Sequence, residues 1–349
     1  MTGALDIRKE ANDTMSGQRI KRILKSKEML LVIITLAIVL LFTIINSNFI
    51  SMGNLRGAMQ SMSITGIMAV GISCLFIGGG IDLASSMECL FGGVICAMMI
   101  QAGIPWGFAV IITLAVGALI GGINAFLVSK LGMMPFIATI AVGNILTGLN
   151  LAFTNSQNVP VSVESFWWGG KSLFGLFPYP FVIMIVLIVI YGLILSKTQF
   201  GRNIYLVGGN MQAARLSGVN PVKLKSVLYV NNAVMSVFAG IVLASRMKTA
   251  SPSSLSDSQM SAITAAVLGG IAFTGGTGGM VGCFIGIVLL SLFNTGLSML
   301  ALESFWTMIS SGVLLVIALT VDFLNERSRE KALKAKVSQD VKAKGGVSP

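Results

Sequence analysis

The chain has 349 residues, of which 54% are hydrophobic and 11% are charged, and its mean hydropathy is +0.87. A soluble domain of this composition would precipitate, so the sequence indicates a membrane protein. Histidine is absent, which excludes a Ser/His/Asp triad and an HExxH zinc site. The four cysteines form no CxxC pair, and we expect packed thiols and no metal or cofactor bound to this chain.

Apolar runs of membrane length recur along the whole sequence. A helix needs about 20 residues to cross a hydrocarbon core, and lipid offers no partner to unpaired backbone groups. The sustained alternation of a membrane barrel is missing. We therefore predict an all-α polytopic membrane protein with about ten transmembrane helices. The predicted spans are residues 29–45, 56–77, 86–101, 107–128, 135–154, 179–196, 227–247, 258–273, 279–300 and 304–321.

Basic residues are distributed unevenly over this pattern. Ten crossings place both tails, the turn at Lys130 and the 197–226 loop on one side, which then holds 20 of the 24 Lys and Arg residues. Because cytoplasmic loops carry the excess of Lys and Arg, we expect both termini to be cytoplasmic. The predicted organisation is a basic tail over 1–28, a transmembrane permease domain over 29–321 and a basic tail over 322–349. Contact with anionic membrane lipid explains such tails, so nucleic acid is not an expected partner despite the net charge of +11.

Two acidic residues, Asp82 and Glu88, follow the glycine cluster 78–80 between the second and third predicted spans. Ser85 and Glu88 have the spacing of a capping box, and Asp82 is placed to cap a helix in the same way. Transporters also build solute sites at broken helices near the membrane midplane. The sequence therefore leaves two roles open for the acids: capping a helix or lining a solute path.

Asparagines within the predicted spans are the other candidates for a solute path. Their amides can hydrogen-bond a hydroxylated solute, but polar side chains at membrane depth more often bridge neighbouring helices. The candidate path residues, taken with the two acids, are Asp82, Glu88, Asn124, Asn144, Asn150 and Asn294.

The predicted outer loop, residues 155–178, contains Trp167 and Trp168. Aromatic rings of this kind are enriched at membrane interfaces, and that is the interpretation we favour. Contact with an external protein is the alternative.

The loop 197–226 has five basic residues and the signals of two helices. Asn210 is placed to cap a helix from Met211 to Ser217, and Gly218 to end it in a left-handed conformation. Asn220 and Pro221 then have the pattern of a cap and first position of the next helix. Small residues Ala213 and Ala214 would let a partner approach, and the planar guanidinium of Arg215 would reach its acceptors. The alternative is a solvated loop whose charges only determine topology.

Four stretches resemble the ribose-type sugar permeases of ATP-binding-cassette (ABC) importers. They are GGGIDLASS at 78–86, GGNMQAARLSGV at 208–219, TAAVLGGIAFTGGTGGMVG at 264–282 and SFWTMISSGVLLVIALTVD at 304–322. The resemblance implies a permease that works as a pair in the bacterial inner membrane. It also implies two cytoplasmic ATPase subunits, which bind the ATP, and a periplasmic or lipid-anchored binding protein. The coupling residues implied are Gly208, Gly209, Asn210, Ala213, Ala214, Arg215, Leu216, Ser217 and Gly218.

This chain departs from the family pattern at three positions. Glu88 follows the GGIDL motif where small or apolar residues are usual, and Thr147 and Thr277 stand where relatives are often basic. The identity of the solute is therefore open. The function predicted from the sequence is import of a simple sugar by alternating access. The alternatives are branched-chain amino acids or nucleosides as cargo, an ATP-independent secondary transporter, and a membrane enzyme that uses Asp82 and Glu88.

Overall fold

The structure is a computed structural model that describes residues 27–253 and 258–300, together with isolated helical positions between 306 and 327. The two predicted tails lie almost entirely outside these residues, and so does most of the predicted tenth span. The described helices are α1 Lys27–Ile45, α2 Met52–Ile77, α3 Ser85–Gln101, α4 Trp106–Ala125, α5 Pro135–Thr154, α6 Tyr179–Lys197, α7 Gln199–Gly209, α8 Met211–Leu216, α9 Pro221–Met247, α10 Ser258–Leu268 and α11 Met280–Met299.

The chain is predominantly helical, as the apolar pattern predicts. Among the described helices, seven are long and apolar enough to cross a membrane: α1, α2, α4, α5, α6, α9 and α11. Two others, α3 and α10, are apolar but shorter. The predicted span 258–273 was too long, because α10 ends at Leu268 before Gly269 and Gly270. Gly270 adopts φ +85°, a conformation that glycine tolerates and that ends a helix.

Helix α9 is the centre of the bundle and packs against α2, α3 and α4. Helix α2 is the other central element, and it also contacts α6, α10 and α11. Both helices bury most of their apolar residues inside the protein. Helix α1 instead leaves most of its side chains exposed, which is the pattern of a helix that faces lipid.

Residues 155–178 fold over one end of α9. Strand β1 (Val159–Pro160) pairs antiparallel with β4 (Thr249–Ala250), and β2 (Ser172–Leu173) pairs antiparallel with β3 (Phe177–Pro178). A 3-10 helix, Glu164–Gly170, lies between these strands and packs on α9. The half-buried Trp167 donates a hydrogen bond from its indole nitrogen to the Val161 carbonyl over 2.8 Å, and Lys248 lies 4.1 Å from its ring.

Candidate functional site

Helix α8 forms as its local sequence predicts. The Asn210 side-chain oxygen accepts hydrogen bonds from the backbone nitrogens of Gln212 and Ala213, both over 3.0 Å. Gly218 follows the helix with φ +80°, and Asn220 caps α9 by accepting from the Lys223 nitrogen over 3.1 Å. Helix α7 was not predicted from the sequence. Thr198 caps its first turn, and its last residue, Gly209, is followed by Asn210 and α8. The result is a short exposed helix held between two longer ones.

The outer surface of α8 presents a mixed basic and apolar patch. Leu216 is 91% exposed, and Met211, Gln212, Arg215 and Ser217 are exposed beside it. We call these five residues the coupling face. An exposed apolar side chain next to an arginine has the composition of a protein-binding surface, since arginine is enriched in such interfaces and exposed apolar groups often mark them.

Two predicted coupling residues do not face outward. Ala214 is fully buried and belongs to the protein's own hydrophobic core, so the prediction that it lets a partner approach was wrong. Gly208 is also turned inward, against Ile77 and Gly276. The periodicity of the helix causes this difference, because only one side of α8 can be exposed while the other packs on the bundle. Gly209, Asn210 and Gly218 are exposed and Ala213 is partly buried.

The glycine cluster between α2 and α3 breaks the helix, as predicted, but the capping box is wrong. Helix α3 begins at Ser85 after Ala84, whose side chain makes no cap bond. The Ser85 hydroxyl instead accepts a hydrogen bond from the Asn232 amide over 2.9 Å. Glu88 accepts from the Asn124 amide over 3.2 Å. Partners on α4 and α9 therefore take the place of the local backbone donor that a capping box requires.

Asp82, Glu88, Asn124 and Asn232 form one buried polar cluster. Each is 1% exposed or less. Asp82 accepts from the Ala84 nitrogen over 2.8 Å, from Asn124 over 3.3 Å and from Asn232 over 3.1 Å. Ser236, on α9, lies beside Glu88. The cluster bridges α3, α4 and α9 and contributes no residue to the cavity described next.

A cavity of about 480 Å³ lies between α2, α10 and α11. It is formed by residues 54–65 of α2, the first part of α10 and residues 287–299 of α11. It therefore lies toward the end of the bundle opposite α7, whose Gly208 packs against Ile77. The lining residues are Asn54, Gly57, Ala58, Ser61, Met62, Thr65, Ser258, Ser261, Ala265, Ile287, Leu290, Ser291, Asn294, Thr295, Ser298 and Met299. In the described part of the chain this lining contains many hydroxyl and amide groups but no charged residue and no aromatic ring.

Only one of the predicted path asparagines lines this cavity, namely Asn294. Asn144 is exposed on α5, and Asn150 is buried without a described hydrogen-bond partner for its amide. The hydroxyl groups of the lining were not among the residues predicted from the sequence. Their signal is a polar stripe at helical spacing, with Ser61 four residues before Thr65 and Ser291 four residues before Thr295, which places each pair on one helix face.

The four cysteines are buried and free, which confirms the packed thiols that the sequence predicts. The described residues contain no group of His, Cys, Asp and Glu side chains that could hold a metal ion.

Comparison with known proteins places this architecture in a family. The chain is 33% identical over 287 residues to the ribose import permease protein RbsC of Bacillus subtilis. This aligned region covers 82% of this chain and 89% of the relative. It is 30% identical over 292 residues to the L-arabinose ABC transporter permease protein AraH of Azospirillum brasilense, covering 82% and 84%. It is 28% identical over 324 residues to the fructose import permease protein FrcC of Rhizobium meliloti, covering 90% of each.

No solved structure matches the chain significantly. The family described as the branched-chain amino acid transport system permease component matches residues 54–319, a range that holds the helix break at Asp82, the coupling face and the hydroxyl-lined cavity. The chain therefore belongs to this family of membrane-spanning transport permeases.

Proposed function

We propose that this chain is the membrane-spanning subunit of an ABC importer and that it translocates a simple sugar or a similar small polar solute. The observation that carries the proposal is the cavity between α2, α10 and α11, whose described lining is rich in hydroxyl groups and has no charged side chain. Its place in a permease whose relatives are named for ribose, L-arabinose and fructose supports the same cargo class.

The chemistry of the cavity discriminates among the candidate solutes. Serine and threonine hydroxyls both donate and accept hydrogen bonds, as the hydroxyls of a sugar do. A zwitterionic amino acid would lose hydration at both charges without a charged partner in the described lining, and burying an unpaired charge is costly. A nucleoside base would find no aromatic ring in the described lining on which to stack. The lining therefore favours a sugar over both alternatives.

Transport requires a source of energy for the conformational change as well as a path for the solute. We assign the coupling face to the docking surface of a cytoplasmic ATPase subunit, where Leu216 would be buried and Arg215 would bind acceptors on the partner. ATP would be bound and hydrolysed on that partner, and this chain would need no cofactor of its own. Closure of the ATPase pair would press on α8 and tilt the helices that follow, so that the cavity opens to alternate sides.

The proposed assembly has this chain in the bacterial inner membrane with ten crossings and cytoplasmic termini. That topology places 20 of the 24 Lys and Arg residues on one side, which is the distribution expected of the cytoplasmic side. A second permease subunit would complete the path, and a periplasmic or lipid-anchored binding protein would deliver solute to the opposite side.

The test is uptake by the purified assembly. The tagged chain is isolated from its native membrane with the subunits that copurify, and the complex is reconstituted in liposomes with the binding protein. Radiolabelled D-ribose, L-arabinose and D-fructose are compared with leucine and adenosine. We expect ATP-dependent uptake of at least one sugar. Uptake of leucine or adenosine alone would overturn the cargo class.

The isolated chain provides the second arm of that test. A secondary transporter would take up solute in response to an ion gradient without any ATPase, and this outcome would overturn the docking assignment. The enzyme alternative has no structural support, because Asp82 and Glu88 are enclosed in a cluster with asparagine side chains.

A further inference from the structure

Three backbone segments meet without side chains between them near the end of the bundle that carries α8. They are the end of α2 with the break that follows it, the end of α7, and the turn between α10 and α11. The Gly276 nitrogen donates a hydrogen bond to the Ile77 carbonyl over 2.8 Å. We call this meeting point, formed by residues 77–79, 208–209 and 275–276, the glycine junction.

Two glycines of the junction, Gly208 and Gly276, leave no room for a methyl group, and Gly275 leaves very little. A Cβ atom on Gly208 would overlap the Ile77 carbonyl and lie 2.7 Å from the Gly276 nitrogen. A Cβ on Gly276 would lie 2.6 Å from the Gly209 Cα, and one on Gly275 would lie 3.0 Å from the Gly79 Cα. Contacts between backbones at this distance leave little freedom for one segment to move without the others, since packed interiors transmit displacement.

Two side chains donate hydrogen bonds to backbone carbonyls at the junction or beside it. The Tyr205 hydroxyl of α7 donates to the Gly278 carbonyl over 2.8 Å, and the Lys225 ammonium of α9 donates to the Gly79 carbonyl over 3.0 Å. A tyrosine hydroxyl is protonated at neutral pH and can donate, and burial raises the pKa of Tyr205 further above its ordinary value. Helix α7 is thus bonded to the turn before α11, and α9 to the break after α2.

The helices that end at the junction are the helices that line the cavity. Helix α2 ends at Ile77, α10 ends at Leu268 before the turn, and α11 begins at Met280 after it. The cavity is lined by α2, α10 and α11 at their other ends. A displacement of α7 therefore acts on all three cavity walls through one contact.

We propose that the glycine junction transmits motion from α7 and α8 to the cavity walls, and that Gly208 and Tyr205 are its positioning residues. This inference rests on the proposed function, because it assumes that work enters at the coupling face. The three lining helices then move as one unit when the coupling segment moves. If the junction only stabilised the fold, every variant that folds would show the same nucleotide-dependent change in access to the cavity.

The test measures access to the cavity directly. Ser61, a lining residue, is replaced by cysteine in the full chain, and the four native cysteines are buried. The assembly with its ATPase is labelled with a membrane-impermeant maleimide, with and without ATP and vanadate. The ratio of the faster to the slower of these two labelling rates reports the nucleotide-driven change, and a ratio of one means that nucleotide has no effect on access. The ratio is compared in S61C alone and in S61C combined with Gly208→Ala, Tyr205→Phe or Gly122→Ala.

The matched control is Gly122→Ala, because no atom lies within 4 Å of a Cβ at this position in α4. It should keep the parent's ratio. Gly208→Ala should bring the ratio close to one. Tyr205→Phe removes one hydroxyl and no carbon, so it should fold, and it should lower the ratio about two- to tenfold, the range expected for one hydrogen bond. Copurification of the ATPase should not change, because neither residue belongs to the coupling face.

Each outcome bears on a different claim. A parent complex without any nucleotide-dependent change would overturn the proposed function and this inference with it. If the parent responds to nucleotide and the Tyr205→Phe and folded Gly208→Ala variants respond equally, the proposed role of the junction is overturned and the proposed function is not. Loss of ATPase copurification in either variant would also overturn it, since the defect would then lie in docking.

Discussion

The backbone nitrogen of Gly276 and the backbone carbonyl of Ile77 are joined by a 2.8 Å hydrogen bond. Their separation in sequence is large, and the bond ties the turn between α10 and α11 to the last residue of α2. Because Gly208 packs on both partners, the segment that precedes the coupling face touches both the end of α2 and the turn between α10 and α11. The proposed route of energy thus passes through backbone contacts, while the proposed route of solute is lined by side-chain hydroxyls.

Reversing the charge of Arg215 should uncouple transport. Arg215 is exposed on α8, so Arg215→Glu should leave insertion and folding intact while it removes the guanidinium offered to the ATPase. We expect ATP-driven sugar uptake to fall to background in reconstituted liposomes. Arg202→Glu, the same reversal at an exposed position on α7, is the control. Full uptake by the Arg215 variant would refute the docking assignment.

Leu216 should contribute to ATPase affinity through burial. It is 91% exposed in this chain, and Leu216→Ser should raise the Kd of the ATPase about ten- to hundredfold, as expected for burial of one aliphatic side chain. The thermal stability of the permease should not change. Leu131→Ser, at another exposed leucine, is the control, and binding by pull-down titration is the measurement. Equal affinity of the two variants would show that Leu216 stays exposed in the complex.

The asparagines of the buried cluster should matter for stability. Asn232 donates to Asp82 and to Ser85, so Asn232→Ala removes two buried hydrogen bonds, one of the three that Asp82 accepts and the one that the Ser85 hydroxyl accepts. The free energy of unfolding should fall by about 1–3 kcal/mol. Asn144→Ala, at an exposed asparagine, should change it by less than about 0.5 kcal/mol. Thermal unfolding in detergent measures both variants, and an unchanged Asn232 variant would argue against a structural role for the cluster.

Hydroxyl groups in the cavity should affect solute handling more than folding. Thr65 lines the cavity, and Thr65→Val removes its hydroxyl at nearly constant volume. The kcat/KM for sugar uptake should fall about two- to tenfold, the effect of one hydrogen bond. The matched control is Thr43→Val on α1, because among the described residues the Thr43 hydroxyl bonds the Val39 carbonyl of its own helix and does not line the cavity. A fall of the same size in the control would remove the evidence for a solute path.

Local signals in the sequence were sufficient where the structure depends on neighbours in the chain. The caps at Asn210 and Asn220 and the left-handed Gly218 were predicted correctly, because each depends on residues within one helical turn. The same reasoning failed at Ser85 and Glu88. There the side chains find partners on α4 and α9, and a distant amide replaces the local backbone donor.

The sequence by itself determined that this protein is a bundle of apolar helices with a capped, exposed α8 and a helix break before Asp82. Hydropathy and capping are properties of short segments, so no tertiary information was needed for them. Only the tertiary structure decided that Ala214 is buried, that Asp82 and Glu88 share a closed cluster, and that the polar faces of α2, α10 and α11 surround one cavity. These features depend on which helix faces meet, and helices of similar apolar composition leave that choice to packing.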